Sequence, residues 1–378
     1  MKIIDIANIN TEKIESSLLT RNTYISTENM LSNCGGVEVA SSIPTGKVTS
    51  FCSDDTLISN IRPYFKKVWY ARFNGGCSND VICVRTKSET CLPAYLYYAL
   101  CTDKFIDTFS ASSKGTKMPR GDKNALLSYE IPDRTIAEQQ HIVDILGSID
   151  EKLEYYDNLI RQLELEGELQ YKSIFENSSL ARNRVELSSI ASFYNGYSYS
   201  GEELCDNSQE CLVTIKNFDR NGGFKIDGFK PIQVSGKIKP DMYVEVGDLL
   251  VAHTDLTQNA DIIGNPILLL NLGGYERAII SMDLVKVKSD IWPAELLYFI
   301  LKNIDFKAHS LGYCAGTTVL HLSKKALQEY SFNMPSDKTI VIELISKLQA
   351  IIERIKLAHI EIQKLNELKR LYLLKFFG

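Results

Sequence analysis

The sequence predicts an α+β chain: two pseudo-repeated mixed α/β globules separated by two long coiled-coil helices. Three observations lead there. Two segments, residues 135–175 and 340–376, carry apolar residues at alternating spacings of three and four and almost no glycine or proline. Each is preceded by a hydrophobic-Pro step and, further upstream, by a Gly-Thr pair, so one order of signals occurs twice at a period of about 200 residues. The remaining stretches read as short strands and short amphipathic helices, in a chain of 378 residues with 44% hydrophobic and 24% charged residues. That balance is ordinary for globular domains and argues against disorder or a fibre.

In chain order, the first globule covers 1–132. Within it Val81-Ile82-Cys83-Val84 is strand-like, Ala94 to Leu100 is a short amphipathic helix, and Asn74-Gly75-Gly76 has the composition of a turn. Ile131-Pro132-Asp133 closes it, because proline is not tolerated deep inside a helix. The first long helix occupies 133–175, with Ile142, Leu146, Ile149, Leu153, Tyr156, Ile160 and Leu163 on one seam. The second globule covers 176–335 and repeats the order: a turn at Asn221-Gly222-Gly223, a strand at Asp283 to Val287, a helix at Ala294 to Ile300, then Met334-Pro335-Ser336. The second long helix occupies 336–378, with Val341, Leu344, Leu348, Ile351, Ile355, Ala358, Ile362 and Leu365 on its seam. At 1.5 Å per residue it is about 55 Å long, and a sustained 3.5-residue period is the pattern of a coiled coil.

Charge follows the same division. The chain carries a net −5, with a pI near 5.7, whereas phosphate neutralisation normally calls for a Lys/Arg surplus. By segment the excess is +2, −6, −4 and +3 from the first globule to the second helix. The two long helices are thus oppositely charged, which favours pairing with each other over self-pairing. The first globule is mildly basic, so the acidic total does not argue against a nucleic-acid partner.

No apolar run reaches the roughly 18 residues of a membrane span and Lys2 and Asp5 interrupt any signal-peptide core, so a cytoplasmic location without a membrane partner is expected. Nine cysteines at irregular spacing, without Cys-x-x-Cys, indicate neither a disulfide framework nor a zinc ribbon. There is no P-loop, dinucleotide fingerprint, His-Glu-x-x-His or Gly-x-Ser-x-Gly elbow. The histidines, His141, His253, His309, His321 and His359, are scattered without ligand spacing. Asp133 followed by Asp150-Glu151-Lys152 imitates a metal-dependent nuclease signature, but the acid-x-Lys unit falls on a helix rather than a strand edge. No catalytic residue and no metal site is therefore assigned.

Recognition chemistry is better represented. Arg62, Lys66 and Lys67 stand in one loop-like stretch of the first globule, and Lys114, Thr116, Lys117 and Arg120 in another. Guanidinium, ammonium and hydroxyl groups on loops suit phosphate anchoring with selective base contacts. Their counterparts in the second globule are His253, Thr254, Thr317, Thr318, His321, Lys324 and Lys325, with fewer charges and more neutral hydrogen-bonders.

The constellation resembles the specificity subunit of type I restriction-modification systems. The residues that carry the likeness are Ile131-Pro132 with Ala137-Glu138-Gln139-Gln140-His141-Ile142-Val143 and Leu146 to Leu153, which resemble that family's first central helix. Tyr24 to Asn29, Ile61 to Tyr64, Gly115-Thr116 with Met118-Pro119, Val246 to Leu250, Ile263-Gly264-Asn265 and Gly316-Thr317 add to it. The resemblance implies a non-catalytic reader of a bipartite, gapped double-stranded DNA sequence, with each globule a target-recognition domain for one half and the two long helices, antiparallel to each other, a spacer. It further implies docking on two methyltransferase (modification) subunits, through Glu138, Gln139 and Gln140, and on restriction (translocase/nuclease) subunits. S-adenosylmethionine, ATP and Mg are then expected on those partners, with no cofactor in this chain. The second helix, around Ile340 to Leu344, lacks the Ala-Glu-Gln run of the first, which makes the two docking surfaces unequal. A rival reading of the same seams is a coiled-coil scaffold that assembles protein partners without reading DNA.

Overall fold

The computed structural model describes every residue except Ser88, Lys114, Thr116, Arg220, Asn221, Gln258, Thr317 and Thr318. The chain packs as two units, one of residues 1–154 with 364–378 and the other of residues 155–363. Each unit therefore takes in one globule and a stretch of both long helices.

The first unit contains α1 (Ile3–Ile6), β1 (Ala7–Ile9), β2 (Lys13–Glu15), β3 (Tyr24–Ile25), β4 (Lys47–Phe51), β5 (Thr56–Ser59), β6 (Val68–Tyr70), β7 (Gly75–Cys77), β8 (Val81–Thr86), α2 (Pro93–Leu100), α3 (Asp103–Ala111) and α4 (Lys123–Ser128). Its strands form two sheets of order β1-β8-β5-β6 and β2-β4-β7-β3. The expected turn at Asn74-Gly75-Gly76 is instead strand β7. A Cβ on Gly75 would lie 2.2 Å from the Thr23 carbonyl oxygen and one on Gly76 2.6 Å from the Leu19 side chain, so these glycines admit close strand packing rather than a reversal.

Helix α5 (Ile136–Phe175) follows and passes from the first unit into the second. The second unit then contains β9 (Arg182–Glu186), β10 (Ser192–Asn195), β11 (Glu210–Val213), β12 (Lys230–Pro231), β13 (Tyr243–Val244), β14 (Leu249–Ala252), β15 (Thr254–Asp255), β16 (Pro266–Leu268), β17 (Arg277–Ile280), β18 (Leu284–Lys288), α6 (Ala294–Lys302), α7 (Ile304–Leu311), β19 (Cys314–Ala315), β20 (Leu320–Leu322), α8 (Lys325–Gln328) and β21 (Ser331–Pro335). Helix α9 (Lys338–Phe377) completes the chain.

The internal repeat is visible in the sheets. The order β10-β18-β14-β16 reproduces β1-β8-β5-β6, with every neighbour antiparallel in both. In the other sheet β3-β7-β4 and β11-β17-β13 match, each with one parallel and one antiparallel pair. The fourth strand is added on opposite edges: β2 pairs with β4, whereas β12 pairs with β11. The start of each globule closes on its end, through Ile3 N–H to Tyr129 O and Ile131 N–H to Met1 O in the first and the β9–β21 pair in the second.

Both seams are buried over most of their length, with Leu153, Tyr156, Ile160, Ile362 and Leu365 half-buried. In the first unit Ile142 and Leu146 of α5 and Leu373 and Phe377 of α9 join one core with Tyr95, Tyr98 and Phe105. In the second, Leu163, Tyr171 and Phe175 of α5 and Val341, Leu344, Leu348, Ile351 and Ile355 of α9 join the core of β14, β18 and α6. Helix α2 gives the direction in the first unit. Its Leu92 end meets Gln139 and its Tyr98 end Asp150 of α5, while Tyr95 packs at a tilt against Phe377 and Lys369 lies over Tyr98, so the two long-helix stretches run antiparallel. The helices are thus at once partners of each other and walls of the globules. No helix among the described residues is long and apolar enough to cross a membrane, and all nine cysteines are free thiols.

Candidate nucleic-acid interface

In the first unit β5 leaves its sheet at Ser59 and runs beside the segment 117–121. Ile61 bridges Arg120, the Arg62 N–H donates to Pro119 O at 2.8 Å, and the Gly121 N–H donates to Asn60 O at 3.1 Å. The pairing brings Arg62, Lys117 and Arg120 together, all three exposed. The Arg62 guanidinium reaches the Lys117 carbonyl oxygen at 3.5 Å, and Arg120 pairs with Asp80 at 2.9 Å. Gly115, at φ +102°, supplies the left-handed turn before this segment. Lys114 and Thr116 lie outside the described residues.

Lys66 and Lys67, expected on the same face, are committed inside the globule. Lys66 Nζ donates to Asp103 Oδ1 at 2.7 Å, with its side chain 20% exposed. Lys67 Nζ donates to the Thr27 carbonyl at 2.6 Å, and burial lowers its pKa from the ordinary lysine value. Both lysines are half-buried, so the exposed charge of this site is Arg62, Lys117 and Arg120, of which Arg120 shares its charge with Asp80.

The second unit repeats the arrangement. Strand β14 leaves its sheet at Ala252, and β15 pairs with β20 in the register Thr254 opposite His321 and Asp255 opposite Leu320. His321, Lys324 and Lys325 are exposed. Thr254 is buried and its hydroxyl donates to Asp283 Oδ1 at 2.9 Å, so it serves the fold rather than an open surface. The buried Asp255 accepts the N–H groups of Thr257, Ile262 and Ile263, which overcome the upward push of burial and hold its pKa below the ordinary value. His253 Nε2 is buried and has no hydrogen-bond partner among the described residues. Burial, followed by the charges of Lys324 and His321, pushes its pKa down to about 4, so the imidazole is neutral at pH 7. Gly316, at φ +126°, occupies the place that Gly115 has in the first unit. Thr317 and Thr318 lie outside the described residues.

The two sites correspond position by position. Ile61 with Arg120 matches Thr254 with His321. The preceding residues, Asn60 and His253, each keep a buried polar atom, Oδ1 or Nε2, without a partner among the described residues. Sequence reasoning missed the apolar members. Tyr64, Phe65 and Met118 are 56%, 40% and 54% exposed beside the first cluster, and Leu256 is 68% exposed in the second. Their one sequence signal is the placement of large apolar residues in otherwise polar loops.

The run Glu138-Gln139-Gln140 has mostly local duties. Thr135 and Glu138 form a reciprocal cap at the start of α5: the Thr135 N–H and hydroxyl donate to Glu138 Oε2 at 2.8 and 2.9 Å, and the Glu138 N–H returns to Thr135 Oγ1 at 3.3 Å. Those donors hold the Glu138 pKa below the ordinary value. Gln139 is wholly buried; its Nε2 donates to the Thr90 and Arg134 carbonyls and its Oε1 accepts the Leu92 N–H. It therefore presents nothing to a docking partner, which corrects the expectation for this residue. Glu138 and Gln140 remain exposed. Asp150, of the nuclease-like signature, is occupied by Tyr98 and Lys369, and no group of three or more His, Cys, Asp or Glu among the described residues could hold a metal ion.

The two units share one four-stranded antiparallel sheet order, and each ends a central strand of it in a polar, partly cationic loop pair. Residues 1–165 match the family described as the type I restriction modification DNA specificity domain. The chain is 27% identical over 201 residues to the type I restriction enzyme EcoDI specificity subunit of Escherichia coli, an alignment that covers 52% of this chain and 40% of that relative. The chain thus spans less than half the length of the curated relative it matches. Its fold is similar to the crystal structure of the type I restriction-modification system S subunit from M. genitalium, with a TM-score of 0.59 at 17% identity, covering 100% of this chain and 95% of that one.

Proposed function

We propose that this chain reads a bipartite, gapped double-stranded DNA target as the specificity subunit of a type I restriction-modification methyltransferase/endonuclease complex, and performs no chemistry of its own. The observation that carries the reading is the duplicated loop pair, Ile61 beside Arg120 and Thr254 beside His321, at the same exit from the same sheet in both units. One short site per unit suits a target in two halves. The DNA face consists of Arg62, Lys117 and Arg120 in the first unit and of His253, His321, Lys324 and Lys325 in the second. Lys114, Thr116, Thr317 and Thr318, which lie outside the described residues, complete it. Thr254 positions the second site through Asp283.

Two modification subunits, carrying S-adenosylmethionine, dock on the long helices, and restriction subunits with ATP and Mg join them, in the cytoplasm. Because the run around Glu138 has no counterpart near Ile340, the two docks differ, and pull-down stoichiometry measures this directly. Footprinting on random-sequence duplexes with the modification subunits present tests the reading itself. Discrete protection interrupted by an unprotected gap is expected, and loss of the gene should erase a gapped adenine-methylation motif from its host. Partner assembly with no protection of any sequence would support a coiled-coil scaffold instead. Since the chain is acidic overall, it should bind DNA weakly when alone.

A further inference from the structure

We infer that Tyr64 and Phe65 form an aromatic wedge that enters the DNA between adjacent base pairs of the first half-site and kinks it there. The inference rests on the DNA-reading function proposed above. The two rings lie 4.9 Å apart at 53° and are 56% and 40% exposed, an unusual position for two adjacent large apolar groups. They are held out by backbone that resists collapse. The flanking residues, Arg62 and Lys66, sit at φ +49° and +52°, the left-handed region that side chains other than glycine rarely adopt, with Pro63 buried between them. Both ends are pinned from outside the turn. The Asn33 N–H donates to Phe65 O at 3.0 Å, the Cys34 N–H to Lys66 O at 2.9 Å, and Lys66 itself grips Asp103. Strain maintained by this many restraints means that the turn is built to present the rings.

What the rings meet follows from their rim. Arg62, two residues before Tyr64, is paired with the segment that carries Lys117 and Arg120, and all three are exposed, which suits phosphates near an opened base step. Apolar side chains inserted between base pairs unstack them, and the resulting bend allows more phosphate contact. The second unit places Leu256, 68% exposed, on the loop that leaves its own central strand at the corresponding point. An apolar tip at the same exit of both sheets points to one shared mode of engaging the duplex. A wedge also reads sequence without hydrogen bonds, since pyrimidine–purine steps open more easily than others.

The test uses the full chain assembled with its modification subunits and a duplex that the wild-type complex selects from a random pool. Energy transfer between end-labelled duplex arms reports the bend, and titration reports affinity. The double variant Tyr64→Ala/Phe65→Ala should lose most of the bend and bind the selected duplex at least tenfold more weakly. A duplex with a mismatch at the kinked step, which is already easy to open, should recover most of that affinity. The salt slope should fall together with the bend, because the phosphate contacts that the bend brings are lost with it. Tyr64→Ala alone, at a position more than half exposed, provides an intermediate variant whose folding is not in question. If the variants bend and bind like the wild type, the wedge is refuted while DNA reading stands. If the wild-type complex selects no duplex at all, the underlying reading falls, and the wedge with it.

Discussion

Tyr98 donates its phenolic proton to Asp150 Oδ2 at 2.9 Å, while Lys369 Nζ lies 2.5 Å from the other oxygen of the same carboxylate. Tyr98 is on α2, Asp150 on α5 and Lys369 on α9, so one half-buried carboxylate fastens both long helices to the first globule. The second unit uses the same device with another register: Tyr298 of α6 donates to Glu164 of α5 at 3.0 Å, and the cation is Lys302 of α6 itself. Burial alone would lower both lysines, but Tyr298, Glu164 and Glu168 around Lys302, and Asp150 with the Cys101 and Cys34 thiols around Lys369, raise their pKa values overall.

Breaking the first of these fasteners should be costly. Lys369→Met leaves Asp150 poorly compensated and should destabilise the first unit by about 2–4 kcal/mol, whereas adding Asp150→Leu should recover most of the loss. Denaturant unfolding of the full chain with both variants measures it; equal midpoints for wild type and Lys369→Met would refute it. A raised lysine pKa stabilises the fold fully below the unfolded value of 10.5 and ceases to do so as pH climbs through the folded one. Unfolding should therefore become easier above about pH 10.5.

Acid should act on the second unit through His359. It is packed edge-on to Phe224, and burial lowers its pKa from 6.5 to about 4. The unfolded chain takes up a proton that the folded one refuses, so stability is complete above pH 6.5 and declines as pH falls toward 4, by about 3 kcal/mol in all. His359→Leu should flatten that decline. An unaltered pH profile of thermal unfolding would show that some other group governs it.

The two glycines of α5 should respond oppositely to alanine. A Cβ on Gly167 would meet the Phe299 ring at 2.3 Å, so Gly167→Ala should cost about 1–3 kcal/mol through overpacking. At Gly147 the nearest group is the Tyr98 hydroxyl at 3.8 Å, and Gly147→Ala should stabilise by about 0.5–1 kcal/mol. Melting temperatures moving in the same direction would contradict this packing.

The lysines and arginines of the first loop pair should separate into two groups. Neutralising Arg62, Lys117 and Arg120 together should weaken binding to any DNA and reduce the salt slope of log K by roughly one for each phosphate that is no longer neutralised. Lys67→Ala removes the donor to the Thr27 carbonyl and should lower stability with little effect on that slope. Binding titrations at several salt concentrations distinguish the groups, and a large slope change from Lys67→Ala would return that residue to the interface.

Gln139→Ala should destabilise the junction of α5 with the first globule by about 1–3 kcal/mol, because it strips the Thr90 and Arg134 carbonyls and the Leu92 N–H of their partner. Gln140→Ala, on the exposed face, should leave stability alone and alter only partner capture. Equal melting curves for the two variants would remove the distinction.

The long helices and the repeat were legible in the chain because each rests on local information. A seam such as Ile142-Leu146-Ile149 or Val341-Leu344-Leu348 depends on spacing within a few turns, and the duplicated order of Gly-Thr, hydrophobic-Pro and helix depends on order alone. Several motifs that carry the family likeness also prove to be turn-formers. Asn29 bonds the Tyr24 and Glu38 carbonyls, Asp248 accepts the Glu245 N–H, and Gly264 sits at φ +78° against Ser310. Folding imposes such residues locally, so they are recognisable wherever the fold recurs.

The function of each loop cation was not legible in the same way. Lys66 looks like Arg62 in the sequence, yet it meets Asp103, 37 residues away, whereas the Arg62 guanidinium meets the Lys117 carbonyl. Gln139 looks like Gln140, yet one is buried and satisfied while the other faces outward. The turn at Gly75-Gly76 became a strand because Thr23, Leu19 and Val48 press on it from elsewhere in the chain. Composition and period specify which segments become helix or loop, since those follow from neighbours in sequence. Which charge stays available and which aromatic stays exposed depends on contacts between distant segments, and these exist only once the sheets have closed.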